Sequence, residues 1–83
     1  MSKYDRKYAN SKLAKTYYER TIPAVSIDEC AKYCDDELKF GCATFDFCYI
    51  QGGCRLSSKY VTNSSGSELV SDNSCDVYES ITL

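Results

Sequence analysis

The chain has 83 residues, a net charge of −2, six cysteines, eight tyrosines, three phenylalanines, and neither histidine nor tryptophan. That length allows one domain, and the lack of histidine excludes Ser-His-Asp and Cys-His catalysis, imidazole metal ligands and a proton shuttle near neutral pH. So small a core needs a further staple, and cysteine at about 7 % of the chain approaches disulfide-scaffold usage.

Charge is unevenly spread. Residues 1–20 hold six basic groups (Lys3, Arg6, Lys7, Lys12, Lys15, Arg20) against Asp5 and Glu19, a balance of +4, whereas residues 21–83 balance to −6. A basic arm attracts sulfated glycans or acidic partners. It also suits a solvated edge strand with a frayed terminus, because lysine blocks edge pairing; the second reading is preferred. Residues 1–7 are assigned to an N-terminal extension and 8–83 to one domain. Met1-Ser2-Lys3-Tyr4-Asp5 lacks the apolar stretch of a signal peptide, and no run approaches the ~20 apolar residues of a membrane span. A mature or excised fragment with an added Met1 is expected. Lys12–Arg20 is ambiguous, and its threonine and tyrosines favour one or two short strands.

The strongest signal predicts a helix over 26–37. Ser26 is its N-cap and Glu29 completes a capping box. Asp28 and Glu29 occupy the first turn, where the helix dipole favours carboxylates. Ile27, Cys30, Ala31, Cys34 and Leu38 follow helical spacing, so Cys30 and Cys34 lie one turn apart on the apolar face. The consecutive Asp35, Asp36 and Glu37 point around the helix end, which is read as solvated, not as a catalytic or calcium site. The period then changes to two: Ala43, Phe45, Phe47 and Tyr49 share one strand face. Gln51-Gly52-Gly53 is a tight turn, and Cys54-Arg55-Leu56-Ser57 is the returning strand. Residues 62–67 and 71–74 are polar and loop-like, and 76–81 is a last strand. The outline is α+β: a small antiparallel sheet of about five strands, crossed by one helix and stapled by disulfides.

The cysteines are Cys30, Cys34, Cys42, Cys48, Cys54 and Cys75. No Cys-x-x-Cys occurs, so disulfides in an oxidising compartment are favoured over zinc or a redox thiol, and no metal or cofactor is expected. Asn63-Ser64-Ser65 is an N-glycosylation sequon in loop-like sequence; Asn73-Ser74-Cys75 has the rarer form. Tyr4, Tyr8, Tyr17, Tyr18, Tyr33, Tyr49, Tyr60 and Tyr78 exceed what a small sheet can bury. Tyr33 and Tyr78 are assigned to the core, and the exposed remainder suits a protein or sugar surface. The charge asymmetry suggests a binding surface of Lys12, Lys15, Arg20, Arg55 and Lys59. Nucleic acid is not an expected partner at a pI of about 5.0.

The run Ser26-Ile27-Asp28-Glu29-Cys30-Ala31-Lys32-Tyr33-Cys34 resembles the helix of PAN/apple domains. So do Phe40-Gly41-Cys42-Ala43-Thr44-Phe45-Asp46-Phe47, the Cys54-Arg55-Leu56-Ser57 strand and the terminal Asp76-Val77-Tyr78-Glu79. The resemblance covers most of residues 8–82 and implies a five-stranded antiparallel sheet with a helix packed on it. It implies the bridges Cys30–Cys54 and Cys34–Cys42, which leaves Cys48–Cys75. Apple domains usually tie a cysteine near the first strand to one near the last; here residues 1–29 contain none. Alternation places Cys42 and Cys48 opposite Phe45 and Phe47, so Cys42 reaches Cys34 only if it precedes the regular strand or sits at a bulge.

The resemblance further implies a non-enzymatic extracellular or cell-surface module, monomeric or weakly self-associating, that mediates protein–protein or protein–carbohydrate adhesion within a larger secreted, matrix or surface protein. The alternative is a free-standing secreted effector, such as a protease or platelet-adhesion inhibitor; the architecture of the precursor separates the two.

Overall fold

The computed structural model describes residues 4–37, 41–60 and 69–81. Its elements in chain order are β1 (Tyr4–Tyr8), β2 (Ser11–Leu13), β3 (Arg20–Ile22), α1 (Ile27–Asp36), β4 (Thr44–Cys48), β5 (Cys54–Ser57), β6 (Leu69–Ser71) and β7 (Cys75–Ser80). Five strands form an antiparallel sheet in the order β1-β7-β4-β5-β3, and β2 pairs with β6 in a separate two-stranded sheet.

Helix α1 begins where its cap chemistry dictates. Ser26 Oγ accepts the Glu29 N–H at 3.2 Å. Glu29 does not complete the expected reciprocal box on Ser26; its carboxylate accepts the Val25 N–H at 2.7 Å, one residue earlier. The helix buries Cys30, Ala31 and Cys34. They meet Phe45, Phe47, Cys54, Leu56 and Tyr78 of the sheet in the main core. The Phe45 ring stacks on Tyr78 at 5.2 Å and meets the edge of Tyr4 at 5.1 Å, geometries that aromatic quadrupoles favour.

The sheet is covered on its other face as well. The register pairs Phe45 with Leu56 and Asp46 with Arg55, so alternation sends Asp46 and Arg55 away from the helix. There Leu13 and Val77 form a second cluster with Tyr8, Tyr17, Tyr18 and Leu69 packed against it. Strand β2 lies against β7 and β4 on this side. All five residues of β4 are therefore buried.

Three disulfides close the structure. Cys30–Cys54 pins α1 to β5, Cys34–Cys42 closes the chain after the helix, and Cys48–Cys75 joins β4 to β7. Cys42 precedes β4, so strand alternation does not constrain it. Cys48 and Cys75 are direct register partners with Cα atoms 4.0 Å apart.

Several expectations are corrected. Tyr4–Lys7, expected in an extension, belong to the outer strand β1 with Tyr4 only 6 % exposed, because its ring supplies one wall of the core. Tyr33 is not core: it is 44 % exposed, since one residue of helical rotation (about 100°) carries it off the Cys30–Cys34 stripe. Tyr49 lies just beyond β4 and is exposed, though its ring still meets Phe47 edge-on at 5.2 Å. The acidic helix end is not simply solvated. Glu37 is buried and paired with Arg20, and Asp35 accepts the Tyr4 hydroxyl at 2.7 Å. The Leu69–Ser71 segment forms β6, which finds its register only against β2. Leu38 lies outside the described residues.

No free cysteine remains, so thiol titration of the denatured, unreduced protein should find no reactive thiol. Replacing Cys48 and Cys75 together by alanine should cost about 2–4 kcal/mol in a urea titration. Asp46→Ala should cost about 3–5 kcal/mol in the same assay, because it leaves buried N–H groups and a guanidinium without their acceptor.

Candidate binding site

The face opposite the helix is organised around one carboxylate. Asp46 is fully buried. It accepts the Leu13 N–H at 2.9 Å, the Arg55 N–H at 3.0 Å and the Arg55 guanidinium at 3.0 Å. Burial pushes its carboxyl above the ordinary range; those N–H groups and the Arg55 charge oppose that push. In return Asp46 fixes the backbone of β2 and the side chain of Arg55 in one place.

Arg55 is oriented from above as well. Its guanidinium carbon lies 5.5 Å from the centre of the Tyr18 ring, and the Lys59 ammonium lies 5.2 Å from that of Tyr17, distances at which a cation and an aromatic face attract. The segment carrying both tyrosines is strapped to β5 and to the residues just beyond that strand. Ser57 Oγ donates to the Tyr17 carbonyl at 2.8 Å, the Glu19 N–H to the Leu56 carbonyl at 2.8 Å, and the Tyr17 hydroxyl to the Tyr60 carbonyl at 3.2 Å. Glu19 also accepts the Ser58 hydroxyl and the Ser58 N–H. Tyr17 is thus held in a turn and Tyr18 just past it, neither in a strand.

Between this segment and β2 lies an open depression of about 300 Å³, lined by Lys12, Leu13, Lys15, Tyr18, Arg55 and Val70. The charges on its rim are partly met. Lys12 lies 3.4 Å from Asp72. Asp72 is held below the usual carboxylate range, first by the Ser74 hydroxyl and N–H and then by Lys12. Lys15 is exposed and makes no ion pair among the described residues.

Of the five cations singled out in the sequence, Lys12, Lys15 and Arg55 converge on this depression, with Lys59 on the neighbouring Tyr17 ring. Arg20 does not join them. It is the register partner of Leu56 and so shares the helix side, where it meets Glu37. Asn63 lies outside the described residues. Asp46 and Tyr18 escaped the sequence reading as site residues. The alternation of β4 marked Asp46 as facing away from Phe45 and Phe47, but its pairing with Arg55 depends on the β4–β5 register. Among the described residues no group of acidic or cysteine side chains converges as a metal site. No helix among them is long and apolar enough to cross a membrane.

No curated protein matches the chain. The family model described as PAN domain matches residues 5–82, nearly the whole chain, and such domains are in general non-enzymatic protein- and carbohydrate-binding modules. With one helix packed on a five-stranded antiparallel sheet, three disulfides and a match of that extent, this chain belongs to the PAN domain family.

Proposed function

We propose that this PAN domain is an extracellular adhesive module, non-enzymatic, that binds an anionic ligand through the face opposite its helix. A sulfated glycan or an acidic protein surface suits that face. The observation that carries the reading is the convergence of Lys12, Lys15 and Arg55 around Tyr18, beside Lys59 on Tyr17. Aromatic rings held beside cations offer stacking area at little entropic cost, and clustered lysines draw anions in a salt-dependent way. Arg20, on the other side of the sheet, has no part in this surface. An oxidising compartment fits the pairing of all six cysteines.

Arg55 is a poor residue to remove, because Asp46 would lose its partner inside the fold. The informative variant replaces Lys12, Lys15 and Lys59 by alanine. Its binding to immobilised heparin should weaken at least about tenfold, with a shallower dependence on salt, while its urea midpoint stays near wild type. Arg20→Gln, which keeps a donor for Glu37, should bind as wild type does. If the triple variant elutes with wild type, this face is not the binding face.

A further inference from the structure

The two outer strands of the main sheet differ in a way that bears on binding. Strand β1 is protected: its register with β7 shifts between Arg6 and Tyr8, and Asp5, Arg6 and Lys7 are exposed along it. Bulges and charges of this kind discourage a further strand from pairing. Strand β3 has no bulge and carries a single charged residue, Arg20. It pairs with β5 over Arg20–Ile22 without a register shift, and no strand of the described residues lies on its other side. The Arg20 charge is turned onto Glu37.

Beside β3 opens a cleft of about 350 Å³ between that strand and the last turn of α1, lined by Arg20, Ile22, Pro23, Tyr33, Asp36 and Glu37. Its chemistry selects an occupant. The last helical turn contains no basic residue, although the negative end of the helix dipole favours cations there. Glu37 is answered by Arg20, and Asp35 by the Tyr4 hydroxyl. Asp36 is exposed and makes no ion pair among the described residues. Next to it Tyr33 leaves 44 % of its surface in solvent, and Ile22 and Pro23 provide an apolar wall. A long cationic side chain satisfies all three features, its stem on the apolar wall and its head between a ring face and a carboxylate.

We propose that β3 and this cleft receive an extended segment of a partner protein, which adds to the sheet as a sixth strand and seats one lysine or arginine side chain between Tyr33 and Asp36. Main-chain bonds to β3 would supply affinity and the cleft would supply the choice of side chain, the division of labour common to strand addition. Because β3 is only three residues long, the cleft has to carry most of the specificity. The site lies apart from Lys12, Lys15 and Lys59, so either site can fail without the other.

The test uses the whole chain, isotope-labelled and with its bridges intact. The probe is a capped peptide of alternating threonine and valine with one central lysine; its twin carries glutamate there. The lysine peptide should shift the amide resonances of Arg20–Ile22 and of Tyr33–Glu37 to saturation. Asp36→Lys and Tyr33→Ala, both at exposed positions, should each weaken that binding at least about tenfold, and the glutamate peptide should bind at least about tenfold more weakly. The lysine-to-alanine variant at positions 12, 15 and 59 should bind the lysine peptide unchanged. Absence of saturable shifts, equal binding of the two peptides, indifference to both cleft variants, or shifts explained by dimerisation of the chain through β3 would each overturn the proposal.

Discussion

Strand β4 is buried on both faces, and most of this structure stems from how so short a chain achieves that. A sheet with one face in water needs only one covering layer. Here the helix covers one face, and β2 with the tyrosine-bearing turn covers the other. Neither layer is large enough to hold by apolar contact alone. The helix is fixed by covalent bonds from Cys30 to Cys54 and from Cys34 to Cys42. The opposite layer is fixed by polar chemistry, the carboxylate of Asp46 holding the β2 backbone and Arg55. A buried carboxylate is costly unless its acceptors are filled, and Asp46 meets that condition with donors from two different strands.

The same anchor ties the fold to the proposed binding face. Arg55 serves both as the partner of a buried acid and as a rim residue of the basic depression. Its position is set from below by Asp46 and from above by Tyr18, so little rotamer freedom is left to lose when a ligand arrives. Lys15 and Lys59 are more exposed, Lys59 resting on the Tyr17 ring. The proposed surface therefore combines a preorganised cation with more exposed ones.

The two sides of the sheet have opposite electrostatic character. Lys12, Lys15, Arg55 and Lys59 gather away from the helix, while Asp35, Asp36 and Glu37 gather at its C-terminal turn. Arg20 belongs to the chain's basic arm by sequence but to the acidic side by register, where it offsets Glu37. That crossing separates Arg20 from the four other cations that charge counts alone group with it. Tyr33 and Tyr4 show the same limit. Tyr33 sits between Ala31 and Cys34 in the helix yet faces outward, whereas Tyr4 lies in a run of charges yet faces inward.

The local elements are legible in the chain alone. Ser26 and the apolar spacing of Ile27, Cys30, Ala31 and Cys34 specify the helix start and its buried face. The alternation around Phe45 and Phe47 specifies a strand. Gly52 and Gly53, at φ 68° and 140°, specify the hairpin, Gly53 also because a side chain there would meet the Ile22 carbonyl at 3.2 Å. These signals can be read because each depends on neighbours a few residues away. Three outcomes required the folded molecule: which side of the sheet each cation occupies, that Asp46 faces a covering layer and not water, and that Leu69–Ser71 pairs with Ser11–Leu13. Those outcomes depend on register between distant segments, where a shift of one residue exchanges the two faces of a strand, and no local pattern in the chain encodes it.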